Sequence, residues 1–120
     1  MRIGFIGAGA MAEALVKGLL RSSNYSACDI CVSDISELRL KHFLETYNVA
    51  GHKDNYRVAE SCDIIILAVK PDKVKSVISE VKDRLGQDKL LITIAAGVST
   101  AAVEDWAGKN IPVIRVMPNT

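Results

Sequence analysis

Short apolar runs alternate with amphipathic stretches along the chain. Ile64-Ile65-Ile66-Leu67-Ala68-Val69 is the clearest run, continuously apolar and rich in β-branched residues. That pattern marks a strand covered on both faces of a parallel sheet. Similar runs predict strands at Arg2–Gly7, Asp29–Ser33, Leu90–Ile94 and Pro112–Met117, with a short one at Val49–Ala50. Between them, apolar residues recur at helical spacing. Met11, Ala14, Leu15 and Leu19 predict a helix over Ala10–Leu20. Ser36 is positioned to cap a helix over Glu37–Tyr47, with Leu38, Leu40, Phe43 and Leu44 as its apolar residues. Asn55–Glu60 reads as one or two helical turns. Pro71 opens a helix over Asp72–Leu85, lined by Val74, Val77, Ile78, Val81 and Leu85. Ser99 caps a helix over Thr100–Ala107, which Gly108 ends. Strand alternating with helix implies parallel strands joined by right-handed crossovers. The predicted fold class is therefore α/β, a doubly wound parallel sheet in a single domain over residues 1–120, without linker or internal repeat.

Composition narrows the function classes. Apolar residues make up 49% of the chain and charged residues 24%, with a net charge of +1. No bulk field attracts nucleic acid or a membrane surface. No apolar stretch approaches the roughly 20 residues of a membrane span. The apolar start, Ile3-Gly4-Phe5-Ile6-Gly7-Ala8-Gly9, is short and broken by glycines, so it reads as a buried first strand and not as a signal peptide. The expectation is a cytoplasmic protein. Cys28 and Cys31 form a C-x-x-C, but on a predicted strand residues three apart point to opposite faces. No second cysteine pair accompanies them, and His42 and His52 lack ligand spacing. Free thiols, including Cys62, are expected and no metal site. The Asn24-Tyr25-Ser26 acceptor pattern is read as accidental.

Gly7-Ala8-Gly9-Ala10-Met11-Ala12 is a G-x-G-x-x-A, a weak signal alone. Here it leaves a predicted strand and opens a predicted helix, the context of a Rossmann dinucleotide-binding loop. Gly7 permits the tight turn and Gly9 leaves room for a pyrophosphate. Ala12 is small enough for helix and strand to pack closely. Freed N–H groups and the helix dipole favour the anion. A Walker A loop is excluded, because no Gly-Lys-Ser/Thr follows.

Asp34 stands at the end of the second predicted strand, where such folds place an acid about 20 residues past the loop. Its carboxylate suits a ribose hydroxyl and repels a 2′-phosphate. No arginine follows at once, and Arg39 lies about one helical turn on. The alternative is that Asp34 merely caps the next helix. NAD is favoured over NADP on this ground.

Three further segments follow the later strands: Ala68-Val69-Lys70-Pro71, Ile94-Ala95-Ala96-Gly97-Val98 and Arg115-Val116-Met117-Pro118-Asn119-Thr120. With Gly4-Phe5-Ile6-Gly7-Ala8-Gly9-Ala10-Met11-Ala12, in this order and spacing, they resemble the motifs of pyrroline-5-carboxylate reductases over the whole chain. The resemblance implies a cofactor-binding domain with contacts at Ile6, Gly7, Gly9, Ala10, Met11 and Asp34. It adds Asn55 near the adenosine, Ala68 and Val69 through their backbones, and Lys70 beside the ribose and nicotinamide. Ala96, in the Ala95–Gly97 turn, falls at the nicotinamide, and Met117, Pro118 and Asn119 on the substrate side. Taken singly, Lys70 can be a solvated charge, the commoner fate of a lysine, Asn55 is better read as a helix cap and Ala95–Gly97 can be a plain turn; taken together and in order, they favour the cofactor reading.

The implied reaction is hydride transfer from NADPH or NADH to the cyclic imine 1-pyrroline-5-carboxylate, giving proline. No nucleophile or acid in the chain stands out as catalytic, in keeping with a cofactor that carries the chemistry. Family members often carry Ser or Asn, with nearby Arg, where this chain has Asp34, and many use NADPH. The family's helical second half, which builds the dimer and much of the substrate pocket, lies outside these 120 residues. The expectation is that the chain binds NAD(H) or NADP(H) and turns over imine poorly or not at all, and that the full-length protein is a homo-oligomer. Two alternatives stay open: a 3-hydroxyacid or 6-phosphogluconate type dehydrogenase domain, and a non-catalytic nucleotide-binding regulator. A surface normally covered by the second half would cause self-association.

Overall fold

The structure is a computed structural model that describes residues 1–108 and 111–116. Among these, six strands form one parallel sheet: β1 Ile3–Ile6, β2 Ile30–Ser33, β3 Ala50–His52, β4 Ile64–Leu67, β5 Leu90–Thr93 and β6 Val113–Arg115. Their order across the sheet is β3-β2-β1-β4-β5-β6, and every pairing is parallel. The chain winds outward from β1 to β3, crosses back to β4 and winds the other way. The order therefore reverses between β1 and β4, and in open α/β sheets the crevice at such a reversal is where ligands bind.

Among the described residues, five α-helices cover the sheet: α1 Ala10–Arg21, α2 Glu37–Tyr47, α3 Asn55–Ser61, α4 Val74–Val81 and α5 Thr100–Ala107. The side-chain alternation of the strands divides the core in two. Phe5, Val32 and Ile66 pack with Ala12 and Val16 of α1 and Phe43 of α2. Ile6, Ile65 and Leu67 face Val58 of α3, Val77 and Ile78 of α4, and Val103 of α5. Consecutive residues of β4 thus enter opposite cores, which is why that strand has no polar position. The doubly wound architecture is the predicted one.

The differences are local. In α1 the buried residues are Ala12 and Val16, with Leu15 and Leu19 packed at the edge, while Ala14 is exposed. The helix turns its small residue, and not its bulkiest ones, to the sheet. In α2 Phe43 is buried and Leu40 and Tyr47 pack beside it, but Leu38 and Leu44 are exposed. The short third strand is displaced to Ala50–His52, because Asn48 takes a left-handed conformation (φ 59°) that ends α2 and delays the strand. The helix expected over Asp72–Leu85 is α4 flanked by 3₁₀ turns at Pro71–Lys73 and Lys82–Arg84. Cys28 is not on β2 but on a 3₁₀ turn ahead of it, Ala27–Asp29, and is exposed. Cys31 on β2 instead faces Cys62, with the two buried Sγ atoms 3.2 Å apart. Among the described residues, no helix is long and apolar enough to cross a membrane.

Candidate functional site

The site forms where β1 ends. Gly7 turns the chain out of the strand at φ +105°, a conformation side-chain-bearing residues avoid. Its N–H donates to the Ser33 carbonyl at 2.8 Å, tying the turn to the end of β2. Ala8 is buried, and Gly9 is the N-cap of α1, extended at φ −83° and ψ −166°. Gly9 provides no side-chain cap, so the first N–H groups of α1 face outward without an intrahelical acceptor. A Cβ added at Gly9 would meet nothing within 4 Å. The loop thus presents open space in front of a helix N-terminus.

Asp34 follows β2 and reaches the same loop. Its Oδ2 accepts from the Ala8 N–H at 2.8 Å and its Oδ1 from the Ser36 N–H at 2.9 Å. Ser36, and not Asp34, caps α2, accepting from the Arg39 N–H. Asn55 does not cap α3; Asp54 does, accepting from the Tyr56 N–H. The Asn55 side chain accepts from the Ser33 hydroxyl at 2.7 Å and donates to Glu80 at 3.3 Å.

Two cavities flank the loop. One, of about 200 Å³, is lined by Gly7, Ser33, Asp34, Ile35, Asn55, Val69, Lys73, Ser76 and Val77. The other, of about 260 Å³, is lined by Gly9, Ala10, Met11, Ala68, Val69, Lys70, Pro71, Ile94, Ala95 and Ala96. Val69 borders both, so they run as two arms of one cleft across the β1–β4 switch point. Ten of the residues expected from the sequence line these arms; Ile6 does not. Its side chain is fully buried, and only its carbonyl takes part, accepting from the Ala68 N–H at 2.8 Å. Lys70 stands exposed before the 3₁₀ turn, at the mouth of the second arm. Met117, Pro118 and Asn119 lie outside the described residues. Sequence reading missed Ser33, Ile35, Lys73, Ser76 and Val77 in the first arm, walls supplied by the end of β2 and by the start of α4. The one available signal was Ile35, an apolar residue directly after the acid, which the structure leaves 90% exposed.

Beside the loop, Glu13 of α1 gathers three side chains of α2. It accepts from Arg39 Nη2 at 2.8 Å and from the Tyr47 hydroxyl, and pairs with His42 Nε2 at 2.8 Å. These contacts, Tyr47 first, then His42 and Arg39, hold its carboxyl at about 2, well below the ordinary 4.5. A depressed folded value means that this stability is present above about 4.5 and is lost as pH falls through about 2. Glu13→Gln should accordingly flatten the acid limb of the stability profile. Urea midpoints of both proteins across that range test it, and parallel curves would refute the assignment.

Among the described residues, no group of three His, Cys, Asp or Glu side chains could hold a metal ion. The cleft combines the glycine loop and its small neighbours with one acid, Asp34, two lysines, Lys70 and Lys73, and apolar walls from Ile35, Val69 and Val77. Comparison with known proteins identifies the family. Residues 2–97 match the family of coenzyme F420-dependent NADP oxidoreductases. The chain belongs to this family. Within the oxidoreductases it is most informatively compared with pyrroline-5-carboxylate reductases, as the motifs implied. It is 40% identical over 118 residues to that of Methanosarcina acetivorans, covering 98% of this chain and 44% of the relative. The solved reductase structure from Coxiella burnetii superposes with a TM-score of 0.93 at 41% identity, covering 99% of this chain and 44% of that one. The Plasmodium falciparum pyrroline carboxylate reductase, solved with NADP bound, gives 0.86 at 30% identity over 99% of this chain and 42% of that one. The chain spans between 40% and 44% of the length of the curated relatives it matches.

Proposed function

We propose that this chain is the nicotinamide-dinucleotide-binding domain of a pyrroline-5-carboxylate reductase. The carrying observation is the glycine loop at the sheet reversal: Gly9 opens unobstructed space in front of the α1 N-terminus, and Asp34 sits one residue's reach away. The residues present fit such a cofactor. The diphosphate would lie against the N–H groups of Gly9, Ala10 and Met11, where the helix dipole is positive. The adenosine half would occupy the arm between Ile35, Asn55 and Val77, with Asp34 turned to the ribose hydroxyls. The nicotinamide half would follow the other arm, past Ala68, Val69 and Lys70 toward Ala96. Small residues there would let the ring approach a substrate, and the family resemblance assigns Met117, Pro118 and Asn119 to the substrate side.

The dihydronicotinamide, when bound, supplies a hydride for the imine carbon of 1-pyrroline-5-carboxylate. The chain's own part is to orient and to exclude water, by backbone, Val69 and Met11. The acid at Asp34 favours NAD over NADP, because a 2′-phosphate would meet a carboxylate. Proline formation and homo-oligomer assembly are properties proposed for the whole protein, in a cytoplasmic setting consistent with its unpaired thiols. Calorimetric titration of this chain with NADH and NADPH tests the binding claim, and no heat with either refutes it. Proline formation from 1-pyrroline-5-carboxylate by the natural protein carrying this domain tests the reaction.

A further inference from the structure

Ala8, between the two loop glycines, is held at both backbone polar groups by side chains of opposite charge. Asp34 takes its N–H at 2.8 Å, and Arg39 Nε donates to its carbonyl at 2.6 Å. A cation therefore stands one residue's width from the acid that would face the ribose. In a dinucleotide site, an arginine near that point is what accommodates a 2′-phosphate. Arg39 is not left to do so. Its Nη2 is bound to Glu13, and its guanidinium carbon lies 5.5 Å from the centroid of the Phe43 ring. Glu13 is itself only 19% exposed and is fixed from two further directions by His42 and Tyr47.

An acid in the first turn of α1 is out of place if its only neighbour is a diphosphate, since it weakens the positive field there. Its position makes sense against Arg39. Resting on the dinucleotide reading, we propose that Glu13 is a positioning residue that sets cofactor selectivity. It clamps Arg39 to the Ala8 carbonyl and balances its charge, so that Asp34 alone governs the ribose edge and the dinucleotide without a 2′-phosphate is favoured. The alternative, a clamp that only joins α1 to α2, would change affinity for both cofactors together and leave their ratio alone.

The test is the ratio of NADPH to NADH dissociation constants, measured by calorimetry on the folded chain. Glu13→Gln releases the guanidinium and should shift the ratio toward NADPH by about fivefold, the scale of one partly exposed charge interaction. Adding Arg39→Ala to Glu13→Gln should return the ratio to that of the parent. Arg39→Ala alone should leave the ratio within about twofold, because the cation is already committed. An unchanged ratio in Glu13→Gln overturns the proposal, and so does a shift that survives loss of Arg39. If Glu13→Gln does not fold, Arg39→Ala decides: a selective loss of NADPH affinity would mean that Arg39 serves the phosphate in the parent. Failure of the parent to bind either cofactor overturns the dinucleotide reading and this inference with it. Binding of NADH with unmoved ratios overturns this inference alone.

Discussion

Replacing Gly9 with valine is expected to weaken NADH binding by at least about 100-fold while changing the unfolding free energy by no more than about 1 kcal/mol. The two halves of that expectation come from the same geometry. At φ −83° and ψ −166° the residue is extended, a conformation open to any L-residue and comfortable for a β-branched one. No atom lies within 4 Å of the position its Cβ would take. Neither internal reason for a glycine, a left-handed backbone or a close neighbour, applies here. The remaining reason is external: something must come close to this backbone. A valine side chain would stand in the space before the first N–H groups of α1 and hold a diphosphate away from them. Paired calorimetry and urea unfolding decide the matter. Binding retained within tenfold would remove the basis of the functional reading, and a large loss of stability would expose an intramolecular role for Gly9.

How much of this was legible beforehand depended on the range of the chemistry involved. The bounds of α2 and α5 match expectation because their caps are local: Ser36 and Ser99 accept from N–H groups three residues on, and Gly108 ends α5 at φ +64°. The strands were legible because two-sided burial leaves no polar position in Ile64–Leu67. The loop and Asp34 were legible because a glycine pattern and a strand end are readable from adjacent residues. What failed was decided by tertiary contact. The inward face of α1 is set by how closely Ala12 must approach the sheet, a constraint that residue bulk does not announce. Ser76 and Val77 reach the cleft only because α4 packs beside α3 and so borders the same cavity as the end of β2. The Glu13 cluster joins residues 26 to 34 positions apart, and nothing local at Glu13 signals it.

Gly7 gives the opposite result to Gly9, and the contrast is the stricter test of the fold. Gly7→Ala is expected to destabilise the chain by about 3–5 kcal/mol, through backbone strain and overpacking acting together. At φ +105° an alanine is strained whatever space surrounds it. Space is also lacking, because its Cβ would lie 2.5 Å from the Ala68 carbonyl oxygen and 2.8 Å from the carbonyl carbon. These are backbone atoms of the segment leaving β4, and they have little freedom to retreat. The Ala68 N–H is bonded to the Ile6 carbonyl at 2.8 Å, and the Gly7 N–H to Ser33 at 2.8 Å. Relief would require breaking the ladder where β1 meets β2 and β4, at the reversal that creates the cleft. Gly97 provides the control: its φ of +76° carries similar strain, but no atom lies within 4 Å of its Cβ. Gly97→Ala should therefore cost only about 1 kcal/mol. Equal losses for the two variants in urea unfolding would show that the close approach of β1 and β4 at Gly7 is not what the residue is there to permit.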